Sequence, residues 1–122
     1  MSESIVKTKS FELAVREVNF YKWLVAERKE FVMSKQFLRS ITSVGANVRE
    51  AVNAQSKPDF IHKLSIAQKE CDESMYWLEI LKETDFISTI EFDSIHNQCN
   101  EVLKIIRSII ITTKKKLITY NS

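Results

Sequence analysis

The sequence predicts an all-α protein built as one up-down-up-down antiparallel four-helix bundle over residues 1–122. Three observations carry this expectation. The 122 residues include one Gly and one Pro, far too few to turn the hairpins of a sheet protein this size. Apolar residues recur at alternating spacings of three and four in four separate stretches. Only a handful of residues separates one stretch from the next, so each helix must fold back on its neighbour. A content of 44% hydrophobic and 28% charged residues is ordinary for a globular chain and too apolar for a disordered one. No internal repeat, linker or low-complexity segment interrupts the pattern.

The first helix is expected over about residues 10–31, capped by Ser10. Its core row is Phe11, Ala14, Val18, Tyr21, Val25 and Val32, with Leu13, Phe20, Leu24 and Phe31 as a second apolar row beside it. Ser34 offers the cap for a second helix over about 35–54, whose core row reads Phe37, Ile41, Val44, Val48 and Ala51. Ser56-Lys57-Pro58-Asp59 combines a Ser cap, a first-turn Pro and an early acid, and starts a third helix over about 57–84. That helix places Phe60, Leu64, Ala67, Cys71, Ser74, Leu78 and Leu81 inward. Ser88 with Glu91 forms a capping box for a fourth helix over about 89–117. Its inward row is Phe92, Ile95, Cys99, Val102, Ile106, Ile109 and Thr113, widened by His96, Leu103, Ile110 and Leu117.

The chain carries more apolar surface than one bundle needs. Ile66, Trp77 and Ile80 lie on a row beside the third helix's core face, which favours a homo-oligomer contact; splayed helices burying wider faces within one chain are the plainer alternative. On the second helix Gln36, Ser40, Ser43, Asn47 and Glu50 form a row of short polar side chains with Arg39 beside it. Such a row suits close helix packing with hydrogen bonds across it, although an ordinary wet face is the plainer alternative. Arg39, Asn47, Glu50, Ile66, Glu73, Trp77 and Ile80 are therefore expected to act in structure or interface.

Chemistry-bearing patterns are scarce. A di-metal bundle site needs Glu-x-x-His pairs, and neither His62 nor His96 has Glu three residues before it. Glu70 and Glu73, with Asp72, lack the imidazoles. Cys71 and Cys99 fall inside apolar rows and read as free buried thiols, consistent with a reducing compartment. One Gly rules out a glycine-rich phosphate loop. No catalytic residue, metal or cofactor is expected, and the protein reads as no enzyme. The opening MSESIVKTKSFE has no apolar signal core, and no apolar run approaches the roughly 18 residues of a membrane span. A cytoplasmic protein with no membrane contact is the expectation.

Charge is segregated. From Glu70 to Glu101 there are nine acids and one base, Lys82; from Val102 onward there are five bases and no acid. Those five, Lys104, Arg107, Lys114, Lys115 and Lys116, are the candidate nucleic-acid contacts. The last three would also complement the dipole at a helix C-terminus, whatever else they do.

The segment QFLRSITSVGANVREAV resembles the pattern Q-x-x-R-(small)₂-x-S-(I/V)-x-x-N-(I/V)-x-E-(G/A) of bacterial four-helix-bundle proteins known as 23S rRNA intervening-sequence proteins. KLSIAQKECDESMYWLEILKETDFI is similar to the same family's next helix, with its I-A-x-x-E and E-(S/T)-x-x-W-L. Ala51 stands where Gly is usual, and Arg49 replaces a small residue. The resemblance implies a bundle assembled as a ring, five protomers being favoured. It extends to accessory proteins of diversity-generating retroelements, which form basic pentamers that bind a reverse transcriptase and nucleic acid. The expected function is thus a non-enzymatic oligomer that binds RNA, DNA or a nucleic-acid-processing protein. The alternative is a protein-binding adaptor using the acidic third helix.

Overall fold

Four side chains decide where the last three helices begin. The computed structural model describes residues 2–121 and contains α1 (Ser2–Arg28), α2 (Met33–Val52), α3 (Lys57–Glu83) and α4 (Thr89–Asn121). Ser56 accepts the Asp59 N–H at 3.2 Å ahead of α3, just before Pro58. Ser88 and Glu91 exchange reciprocal bonds of 2.8 and 3.1 Å, the capping box that opens α4. At α2 the cap differs from the expected one. Val32 precedes the helix without a side-chain bond, and the Glu30 carboxylate accepts the N–H groups of Val32, Met33 and Ser34 at 3.1, 3.0 and 2.6 Å. Ser34 is instead buried inside the first turn, its hydroxyl donating to the Glu30 carbonyl at 2.8 Å.

The first helix departs most from expectation. It begins at Ser2, and Ser10 is an interior residue whose hydroxyl donates back to the Lys7 carbonyl. It stops at Arg28 because Lys29 turns left-handed (φ 55°), and the Glu30 N–H then closes onto the Leu24 carbonyl at 3.1 Å. Phe31 and Val32 fall in the connection and are exposed. The buried row is Val6, Ser10, Leu13, Glu17 and Leu24. The row expected in the core points outward: Phe11 is 53% exposed, and Ala14, Val18, Tyr21 and Val25 are half-buried. The expected row is the more apolar of the two, and contact with α2 selects the other. At Gly45, in the middle of α2, an added Cβ would lie 3.3 Å from the Ser10 carbonyl oxygen, so the two backbones nearly touch there.

Each helix packs on two neighbours in the order α1–α2–α3–α4–α1, with α2–α3 the most extensive pair and α1–α4 the loosest. The inward rows of α2 and α3 are buried throughout. Along α4, Ile95, Cys99, Val102, Leu103, Ile106, Ile109, Ile110 and Thr113 are buried, while Phe92 and His96 stack on each other half-buried at its start. Cys71 and Cys99 are free and buried, and the Cys71 thiol donates to the Cys99 carbonyl at 3.4 Å. Arg28 ties the far end together by donating to the carbonyls of Phe86 and Asp85 at 2.9 and 2.8 Å.

Glu30→Ala is expected to cost about 1–2 kcal/mol of stability, read as a shift of the denaturant midpoint without a change of slope. Burial alone would push the Glu30 carboxyl up, but the three backbone N–H groups outweigh it and hold the group below its ordinary 4.5. The difference between parent and variant should therefore be complete above about pH 4.5 and shrink as the pH falls through the lower folded value. Equal differences at about pH 3 and about pH 7 would show that the carboxylate does not cap α2.

Candidate nucleic-acid interface

With 33 residues, α4 is the longest helix, about 50 Å at 1.5 Å per residue. Its second half carries Lys104, Arg107, Ile111, Lys114 and Ile118 at steps of three, four, three and four, which places them on one face. All five are exposed, Ile111 at 54% and Ile118 at 70%, and Lys115 lies beside them. Lys116 points another way. It lines a groove of about 290 Å³ with Lys57 at the start of α3, Glu3 in the first turn of α1, and Ser108 and Thr112 of its own helix. The five basic residues expected to act together are thus divided between an outer stripe and a groove at one end of the bundle.

Their electrostatic settings differ. Arg107 lies 3.8 Å from Asp72 of α3, so part of its charge is answered within the chain. Among the described residues, no carboxylate stands within ion-pair distance of Lys104, Lys114, Lys115 or Lys116. These ammonium groups remain free for an external anion, with the hydroxyls of Ser108 and Thr112 as neighbouring donors. Lys57 belongs to the same groove. In the sequence it reads only as part of a helix start, and the fold alone brings it beside Lys116.

The polar row of α2 divides as well. Arg39 crosses to α3, pairing with Glu70 at 3.2 Å and with Glu73. Glu73 also accepts the Trp77 indole N–H at 3.1 Å, and these two donors, the indole first, hold its carboxyl below the ordinary range. Buried Ser40 meets Ser74 at 2.8 Å. Asn47 does not reach another helix: its amide donates to the Ser43 carbonyl one turn back at 2.9 Å. Glu50 is exposed, 3.9 Å from Lys63. Ile66, Trp77 and Ile80 are half-buried within the single chain, Trp77 packing on the core, while Tyr76 beside it is 55% exposed. Arg49 lies over the exposed Phe11 ring at 5.3 Å. Among the described residues no helix is long and apolar enough to cross a membrane, and no three His, Cys, Asp or Glu side chains are grouped to hold a metal ion.

The chain matches the family model of the 23S rRNA-intervening sequence protein over residues 2–108. No curated protein matches it. Its fold is similar to the crystal structure of a protein of unknown function from the S23 ribosomal protein family of Bacteroides thetaiotaomicron VPI-5482. The two chains are 57% identical with a TM-score of 0.89, and the match covers 90% of this chain and 98% of the other. The matched span takes in Lys104 and Arg107 and ends before Lys114. With the family model spanning all four helices, this chain belongs to the 23S rRNA-intervening sequence protein family.

Proposed function

We propose that the protein is a non-enzymatic, cytoplasmic, self-associating bundle that binds RNA or DNA, alone or together with a nucleic-acid-processing protein, through the basic end of α4. The observation that carries this reading is the set of lysines with no carboxylate partner, displayed on an acid-free helix end beside Lys57. Phosphates would be met as point charges, with affinity set by counterion release rather than by base contacts. A ring of copies would multiply the local field while leaving the charge per chain at +2.

Self-association has a surface to use. The outward row of α1 exposes Phe11 and Val15, and beside it runs a groove of about 270 Å³ floored by Ala14, Gly45 and Ala46. Small residues there let another helix approach closely, a better contact than the half-buried Ile66, Trp77 and Ile80 row. The adaptor reading draws on exposed Tyr76 among the acids Asp72, Glu79 and Glu83 of α3, a face that would repel phosphate and suit a basic protein.

Light scattering at micromolar concentration is expected to return five times the 14.2 kDa chain mass, and Val15→Glu should lower it to the monomer. A monomeric parent would refute the assembly. Replacing Lys114, Lys115 and Lys116 with Gln should weaken RNA and duplex DNA binding. It should also make the slope of log affinity against log salt shallower by about 2–3, close to 0.9 for each lost phosphate contact on duplex. Unchanged affinity would leave these lysines as partners of the helix dipole, and no binding by the parent would favour the adaptor.

A further inference from the structure

The buried row of α1 contains a carboxylic acid. Glu17 is 0% exposed, and neither carboxyl oxygen has a hydrogen-bond partner among the described residues. Leu13 sits one turn before it in the same row. Across the seam is Cys99 of α4, whose thiol lies against Cys71 of α3. The register of α1 on α2, set by Ser10 against Gly45 and by the edge-on contact of Phe20 with Phe37, puts the neutral Ser40–Ser74 pair near the same level.

No cation answers this acid. Arg16 on α1 is the nearest, but its guanidinium is turned outward, donating to Gln98 at 2.9 Å and to Ser94. On α2, Arg39 is committed to Glu70 and Glu73 on the outside. From α4 and α3 the ionisable groups are the Cys99 and Cys71 thiols; the adjoining Cys71 thiol and then burial push Cys99 well up, so it stays neutral. Burial raises Glu17 itself to about 7, with Arg16 offsetting only a part. The seam that covers it, α1 on α4, is the loosest in the bundle. Its polar links lie on the rim: Lys9–Glu101 at 2.7 Å and the Arg16 bonds.

We propose that Glu17 is a proton-operated latch: as the neutral acid it lets α1 seat on α4, and loss of its proton releases α1 and uncovers the Cys71–Cys99 pair. In the released state the carboxyl regains its ordinary value of 4.5. Between that value and about 7 the seated state binds a proton that the released state does not. Seating is therefore strongest on the acid side, weakens as the pH rises through this window, and levels off above it.

The two thiols beneath α1 report the motion. The full-length protein is labelled with an aromatic disulfide reagent, and each rate is divided by that of a free thiol at the same pH. From about pH 5.5 to about pH 8.5 this ratio should rise about 30-fold for the parent, the change in opening set by values of 4.5 and about 7. Glu17→Met should keep the ratio low and flat; Glu17→Gln should be equally flat, at whatever level its unpaired amide imposes. Amide hydrogen exchange should show the loss of protection in α1 and not in α3. A flat parent ratio, a Met variant that rises like the parent, or equal loss of protection in α1 and α3 would each overturn the latch.

Discussion

The bundle depends on a close approach of two backbones, made where the only glycine lies. Gly45 sits in the middle of α2, and the Ser10 carbonyl stands where a side chain would crowd it. That contact fixes how α1 is rotated and how far it slides along α2. It sends Leu13, Glu17 and Leu24 inward and leaves Phe11 and Val15 outside. It also leaves the corners without glycine. Lys29 and Asp85 take the left-handed conformation themselves, at φ 55° and 65°, a cost of about 1–2 kcal/mol for an L residue with a side chain. Their neighbours support the strain: Glu30 bonds back to Leu24, Phe86 bonds back to Leu81, and Arg28 holds the Asp85 and Phe86 carbonyls.

How much of this the sequence discloses varies by helix, for a physical reason. In α2, α3 and α4 the leading apolar row coincides with the buried one, and the Ser56 and Ser88 caps stand at the observed starts. In α1 two rows compete. The row that buries contains Ser10 and Glu17, so composition favours the wrong one, and only the approach to Gly45 decides. A trace of the answer is present: Leu13, Glu17, Phe20 and Leu24 keep the helical spacing, with an acid holding an otherwise apolar place. The candidate interface divides likewise. The unpaired charge of Lys114, Lys115 and Lys116 is readable from local composition. The neighbourhood of Lys57 with Lys116, and the pairing of Arg107 with Asp72, arise between helices and leave no mark in a linear pattern.

The polar residues of α2 show how one sequence row can serve several ends. Ser40 spends its hydroxyl inside the bundle, and Arg39 spends its charge on two carboxylates of α3. Asn47 satisfies itself on its own helix. Arg49, where the family pattern has a small residue, covers the exposed ring of Phe11 and borders the small-residue groove. A departure from the family pattern thus falls on the surface proposed for contact between copies, where it would tune the fit without touching the core.

The antiparallel arrangement has an electrical outcome that no single side chain conveys. Glu79, Glu83, Asp85, Glu91 and Asp93 gather where α3 hands over to α4, offset in part by Lys82 and Arg28, while Lys57 and the three terminal lysines gather at the opposite end, offset in part by Glu3. Separated along helices of about 40–50 Å, these clusters leave a nearly neutral chain with a permanent dipole along the bundle. In the field of a polyanion such a body experiences a torque before it experiences a net pull. It would arrive already turned, basic end first, and the fraction of collisions that succeed would fall as added salt shortens the reach of that torque.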